Sequence, residues 1–418
     1  MVSFEQIVGY TNIKKELMEI VDIIKNPDVY KALGAKLPRG AILVGDPGMG
    51  KTMLATAFIA ECGLPSYKLH RSKSTKDFLD EMNDVFKRAR VSGPSVILLD
   101  DVDKFAVEDR NSTEFSALQS LIDSLAGADV FVIATANDPS DMPSSLLRPG
   151  RFDRYINVTY PSREDSASIA KHYIGKKPVS DNINLDDVAN MLAGKSCAEL
   201  DNVINEAAIQ AAHERCDHIE MRHMISATLR EAYGATDDNS TLSSEELEEV
   251  AYHEAGHAAL AEIILEGSVG LVSLNSTPGG SRGGFMLRCK DIKRRAHEVI
   301  ISLGGKAGSE LKYGRVASGT FSDLRSASSH IDISTSRVGT YGLSTLAFGT
   351  PSQDMDSRQE IVCQAELERH LFKAKEILCE NMDFFEKLAG ELIAKGTLLS
   401  SDVARIRSGC VIKATTIG

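Results

Sequence analysis

The chain contains no tryptophan, and aromatic residues make up only 6% of its 418 positions. Its seven cysteines (Cys62, Cys197, Cys216, Cys289, Cys363, Cys379 and Cys410) include no C-x-x-C pair. An odd, scattered set without a signal peptide argues against a secreted disulfide framework and fits a reducing cytoplasmic compartment. No run of about 18 apolar residues occurs, so no membrane-spanning helix is expected and membrane association is not encoded in this chain. Positive charge is also short: 47 Lys and Arg against 59 Asp and Glu leave a net charge of -12. That argues against a general nucleic-acid binder and leaves only a local basic patch open. What remains is an ordinary globular composition, 43% apolar and 25% charged, with enough chain for about two to four domains.

From Phe4 to about Pro161 short apolar strands alternate with amphipathic helices, the pattern of an α/β domain with a largely parallel sheet. The strand Ala41-Ile42-Leu43-Val44 runs into Gly45-Asp46-Pro47-Gly48-Met49-Gly50-Lys51-Thr52 and then into a helix from Met53 to Glu61. Strand before and helix after are the context a P-loop requires. Backbone N–H groups would close around phosphates, Lys51 would reach the β- and γ-phosphates, and Thr52 would hold Mg2+. A second apolar strand ends in Asp100-Asp101. Asp100 is placed to hold Mg2+ through water, as in a Walker B motif, and Asp101 sits where a water-activating base is expected. A third strand, Val130 to Ala134, delivers Asn137 at its carboxyl end, positioned to orient the attacking water. Beyond it, Arg148 and Arg151 flank Pro149-Gly150. They read either as surface charge or as arginine fingers presented to a neighbouring subunit, which requires a ring.

Further on, Tyr252-His253-Glu254-Ala255-Gly256-His257 carries His-Glu-x-x-His within a stretch that reads as helix. Residues four apart share a helix face, so His253 and His257 can present two imidazoles to one metal ion. Zinc lowers the pKa of a bound water to about 7, and Glu254, next to the first ligand, would take that water's proton. The alternative is a surface helix bearing two unrelated histidines. Between the two modules, Ser162 to Tyr233 loses the strand pattern and reads as helices, including Asp186 to Ala193 and Ala198 to Ala208. His213, His218 and His223 in that region read as solvated surface groups. Domains are therefore expected at 1–161, 162–235 and 245–418, with a polar, turn-rich linker at 236–244.

These motifs together resemble the cytosolic part of the FtsH family, ATP-dependent zinc metalloproteases of the AAA+ class. The resemblance rests on Phe4-Glu5-Gln6-Ile7-Val8-Gly9, the P-loop, Leu147-Arg148-Pro149-Gly150-Arg151-Phe152-Asp153-Arg154 and Tyr252 to His257. It implies a multidomain chain: an α/β AAA+ P-loop domain with an all-helical lid, followed by a mainly α-helical zinc metallopeptidase domain. It further implies that Ile7, Val8 and Gly9 lie against the adenine, that Arg148 and Arg151 act in trans, and that the homo-oligomer is a hexameric ring. A catalytic zinc needs a third protein ligand. The family supplies an Asp after a Ser-x-Gly-like segment, which Ser318-Gly319-Thr320-Phe321-Ser322-Asp323 matches, so Asp323 is the expected ligand; Glu310 and His330 are the spare candidates. Gly279 to Leu287 reads either as an edge strand that pairs with extended substrate or as a glycine-rich loop beside an ordinary strand.

Four departures from the family pattern bear on function. The second Walker B carboxylate is Asp101 rather than Glu, roughly 1 Å shorter, and a displacement of that size can cost about 100-fold in rate. The family's aromatic-hydrophobic-Gly pore loop has no match between His70 and Met82, where Phe78 is the one aromatic substitute. The Asp-Gly-Phe inter-subunit signal has no clear counterpart in Asp123 to Asp129. The membrane anchor that precedes this region in the family does not occur here, which leaves either a soluble relative or a fragment. The expected function is an ATP-dependent zinc endopeptidase, using Zn2+, ATP and Mg2+, that unfolds or translocates unfolded or tagged proteins and cleaves them. The rival is a nucleotide-gated remodelling ring with reduced or lost proteolysis.

Overall fold

The computed structural model describes residues 2–105, 113–138, 143–148, 150–235, 243–276, 284–315, 320–334 and 353–413, with only the backbone of 353–359. The chain divides into two compact units: Met1–Tyr173 with Gly194–Asp201, and Ile174–Ala193 with Asn202–Gly418. The segment expected as a lid, 162–235, is thus shared between them. Most of the expected linker, 236–242, lies outside the described residues.

In the first unit a five-stranded parallel sheet runs in the order β2-β3-β4-β1-β5. The strands are β1 (Gly40–Val44), β2 (Ser66–His70), β3 (Ser95–Asp100), β4 (Val130–Ala136) and β5 (Arg154–Asn157). The central three, β1, β3 and β4, are buried at every position. Their uninterrupted apolar runs serve both faces, as expected for a sheet covered by helices on each side. Ile42, Ile97, Leu99 and Val132 face one layer, which holds Phe78, Phe86 and Leu118. Leu43, Val96, Leu98 and Ile133 face the other, with Leu17, Leu54 and Phe58. Fully burying one such side chain contributes about 1.5–3 kcal/mol. Phe78 is part of this core: it sits on the helix Thr75–Val91, fully buried, with its ring edge-on to Phe105 at 5.1 Å. It therefore does not substitute for a pore aromatic.

The second unit is built on the helix Ser244–Ile264. Ser243 and Glu246 form its capping box, satisfying two of the backbone donors that a helix start leaves open. From Ala251 to Glu262 every residue is buried, because neighbours cover the helix all round: Arg295–Ser302, Gly304–Tyr313, Gln353–Glu380 and Met382–Lys395. An antiparallel sheet completes the unit in the order β7-β6-β8, with β6 (Val269–Ser273), β7 (Phe285–Arg288) and β8 (Thr397–Leu399). Near the C-terminus, Gln353–Glu380 and Met382–Lys395 are two helices divided at Asn381. Of the three histidines expected at the surface, His223 is instead buried, its Nδ1 accepting from the Glu220 backbone N–H at 3.0 Å.

The His-Glu helix crosses Gly304–Tyr313 in close backbone contact. A Cβ on Gly256 would stand 2.2 Å from the Gly304 carbonyl oxygen, so the two backbones meet where no side chain fits. Gly256→Ala is expected to lower stability by about 1–3 kcal/mol, the usual cost of overpacking a tight contact. A denaturant midpoint matching wild type would contradict this.

Candidate active site and nucleotide cradle

In the first unit three adjacent strands end together, and their carboxyl ends carry the expected nucleotide groups. After β1 the helix Lys51–Cys62 opens behind Gly50, which has φ +81°. Lys51 is buried, and its ammonium donates to the Gly45 carbonyl at 2.7 Å, the Asp46 carbonyl at 2.8 Å and Asn137 Oδ1 at 2.9 Å. Burial pushes its pKa down, against the pull of Asp101 and Asp103. Asp100 closes β3. Its Oδ1 accepts from the hydroxyls of Thr52 and Thr135, each at 2.9 Å, and its Oδ2 faces Lys68 Nζ at 2.7 Å. Burial disfavours the charge, yet Lys68 and the two hydroxyls hold this carboxyl below its usual value. Thr52 and Asp100 thus present the adjacent hard oxygens that Mg2+ takes.

Asp101 adopts a left-handed backbone (φ 54°) and pairs with Lys104 at 2.6 Å. Asn137 is anchored through its backbone N–H to Asp103 Oδ2 at 3.0 Å. The segment Ile7-Val8-Gly9 is carried to the P-loop by its neighbour Tyr10, whose hydroxyl contacts Met49 Sδ at 3.9 Å and Cys197 Sγ at 3.3 Å. Ala198 also donates to the Gly48 carbonyl at 3.1 Å. Of the two arginines, Arg148 is exposed, whereas Arg151 places its fork on Asp123 of its own chain at 2.8 Å and donates to Ser145 O at 2.6 Å. Arg71 in the polar loop after β2 is similarly tied to buried Glu114, at 2.8 and 3.0 Å.

In the second unit, His253 and His257 project from one face of the Ser244–Ile264 helix toward Asp323, in the first turn of Thr320–Ile333. Asp323 Oδ2 lies 3.0 Å from His253 Nε2 and 3.3 Å from His257 Nε2, and the two Nε2 atoms are 3.3 Å apart. A tetrahedral ion that binds its ligands at about 2.0–2.1 Å sets them roughly 3.3–3.4 Å from one another, so the donor set fits zinc. His257 Nδ1 meets the Ile301 carbonyl at 2.7 Å, which makes Nδ1 the protonated nitrogen and leaves the Nε2 lone pair for a cation. A Cβ on Gly305 would stand 2.3 Å from His253 Nε2, so only glycine lets the ring sit there.

Glu254 is buried beside this cluster. Burial pushes its carboxyl up, opposed by His257 and His253, which suits a group that takes up and returns a proton. Burial opposes charge on Asp323 as well, but the two imidazoles hold it well below the carboxylate range. Burial opposes charge on His257, but Asp323 raises it to about 9, so a cation bound at Nε2 takes the place of a proton. The spare candidates lie elsewhere: Glu310 pairs with Lys306 and with Lys375 at 2.5 Å, and His330 is about two turns along the helix from Asp323. β7 is an edge of the small sheet, and Gly284, just before it, lies over Glu254: a Cβ there would be 2.9 Å from Glu254 Cγ. The rest of the expected glycine-rich segment, 279–283, is outside the described residues. Sequence reasoning missed Asp103, Thr135, Lys68 and the Ile301 carbonyl. Asp103 had a signal, falling two positions after Asp101 in the same turn; a backbone carbonyl has none.

Fold and site define a P-loop ATPase module of the AAA type followed by a helical metallopeptidase module. The model of the ATPase family associated with various cellular activities (AAA) matches residues 41–160, that of the AAA+ lid domain 182–226, and that of peptidase family M41 240–406. Among curated proteins, the ATP-dependent zinc metalloprotease FtsH of Caldicellulosiruptor bescii is 30% identical over 97% of this chain and 72% of its own length. The corresponding protein of Aster yellows witches'-broom phytoplasma is 29% identical over 97% of this chain and 64% of its own. ATP-dependent zinc metalloprotease FTSH 5, chloroplastic, of Arabidopsis thaliana is 31% identical over 95% of this chain and 62% of its own. The chain belongs to the FtsH family. It spans under two thirds of the length of several of these relatives, 64% in the phytoplasma protein.

Metal analysis of the purified chain should find about one zinc equivalent. Asp323→Ala should lose most of it, and His330→Ala should retain it. Retention by Asp323→Ala with loss in His330→Ala would reverse the ligand assignment.

Proposed function

We propose that this chain is an ATP-dependent zinc endopeptidase that unfolds or translocates unfolded or tagged proteins and hydrolyses their peptide bonds. The observation that carries this reading is the convergence of His253, His257 and Asp323 beside buried Glu254, on a chain that also bears a complete phosphate cradle. His253, His257 and Asp323 would hold Zn2+, which supplies Lewis acidity to a scissile carbonyl and to an attacking water. Glu254 takes the proton of that water and later gives it to the leaving amine. The edge of β7 offers main-chain pairing to an extended substrate and aligns it over Glu254. In the ATPase module Gly45 to Thr52 wrap the phosphates, Lys51 moves from its three neutral acceptors to the phosphate oxygens, and Thr52 with Asp100 holds Mg2+. Asn137 orients the water that Asp101 activates.

We assign domains at 1–161, 162–235 and 245–418, with a linker at 236–244, and a homo-oligomeric, hexameric ring facing the cytosol. Arg148, being exposed, serves as the arginine finger; Arg151 joins it on exchanging Asp123 for a neighbour's phosphate. Among the described residues no helix is long and apolar enough to cross a membrane. One observation favours the second reading, a nucleotide-gated remodelling ring: the sole candidate for a gripping aromatic, Phe78, is locked in the core.

The test is cleavage of casein with ATP, with a non-hydrolysable analogue and without nucleotide, each beside Glu254→Gln and Lys51→Ala. Cleavage that needs ATP hydrolysis and falls by at least about 100-fold in Glu254→Gln supports the coupled protease. Equal cleavage in all three nucleotide conditions would contradict the coupling, and ATP turnover with zinc bound but no cleavage would favour the remodelling ring.

A further inference from the structure

The geometry points to Lys68 as a tethered counter-ion that occupies Asp100 and that Mg2+ must displace when nucleotide loads. The inference rests on the nucleotide-site reading above and adds to it a residue that sets metal dependence. Lys68 lies on β2, the edge strand, two residues before His70, which is register-paired with Asp100 across the parallel ladder. Alternate residues of a strand share a face, so the Lys68 stem runs forward along the face on which Asp100 stands. Its ammonium ends 2.7 Å from Asp100 Oδ2, while Oδ1 already accepts two hydroxyls. Both oxygens of the carboxylate are therefore engaged before any divalent cation arrives. The other cation of the cradle, Lys51, is on different partners, Gly45, Asp46 and Asn137, and Lys104 is on Asp101.

A divalent ion drawn to Asp100 beside Thr52, on the Oδ1 side, and an ammonium on Oδ2 repel each other across one carboxylate, so entry of one is linked to departure of the other. Departure is easy: the Lys68 side chain is 54% exposed, against 9% for Asp100. Two effects of opposite sign follow. With Mg2+ absent, Lys68 neutralises Asp100 and so spares the incoming phosphates a buried negative charge; with Mg2+ present, it is a competitor.

The experiment titrates the full chain with a fluorescent ADP derivative, first in EDTA and then over a Mg2+ series, for wild type, Lys68→Met and Lys68→Arg. Lys68→Met should bind about two- to five-fold more weakly in EDTA, yet reach half-saturation at a Mg2+ concentration lower by a similar factor, the scale of a half-exposed ion pair. Lys68→Arg keeps a cation on the strand and should stay near wild type in both. General damage to the site would weaken binding in both conditions and raise the Mg2+ midpoint. An unchanged or raised midpoint in Lys68→Met therefore overturns the proposal. Failure of wild type to bind the nucleotide with or without Mg2+ would overturn the nucleotide-site reading and this inference with it.

Discussion

Desolvation governs the second unit. Two imidazole nitrogens and a carboxylate oxygen are held 3.0–3.3 Å apart among buried residues, with a further buried carboxylate, Glu254, alongside. Withdrawing such groups from water is costly unless a cation compensates them. The rest of the unit serves that closeness. Gly256 and Gly304 let two helix backbones touch, Gly305 leaves room for the His253 ring, and the carbonyl of Ile301 sets the nitrogen that His257 turns toward its neighbours. A helix buried on all sides from Ala251 to Glu262 is the structural consequence.

The nucleotide cradle follows a different logic. Its charged groups are paired in pieces that nucleotide must rearrange: Lys51 rests on carbonyls and Asn137, Asp100 on two hydroxyls and Lys68, Asp101 on Lys104, and Arg151 on Asp123. Most of these pairs involve at least one partly exposed side chain and are cheap to break. Asp103 is the fixed point, holding the Asn137 backbone while adding negative charge near Lys51. The substitution of Asp101 for the longer carboxylate is explained by nothing in the structure.

Much of this was legible beforehand, for physical reasons. β1, β3 and β4 are buried throughout and so appear as continuous apolar runs, and the P-loop and His-Glu-x-x-His motifs are short because their geometry is local. β2 and β5 were not recognised, because edge strands such as Ser66–His70 and Arg154–Asn157 carry polar residues toward solvent. Missing β2 concealed Lys68. In the sequence His223 reads as a surface residue, because nothing in its neighbours announces a buried imidazole bonded to a helix start. Phe78 was ambiguous between loop and core until the helix Thr75–Val91 set its facing. Asp323 is seventy residues from His253 in sequence, and only the family resemblance pointed to it before the fold brought the two together.

The central claim is that His253, His257 and Asp323 form a zinc centre, and X-ray absorption at the zinc edge of the loaded protein tests it most directly. The account predicts a first shell of nitrogen and oxygen at about 2.0–2.1 Å with the multiple scattering of two imidazoles, lost in Asp323→Ala. A shell containing sulfur at about 2.3 Å would place the metal on cysteines and contradict it.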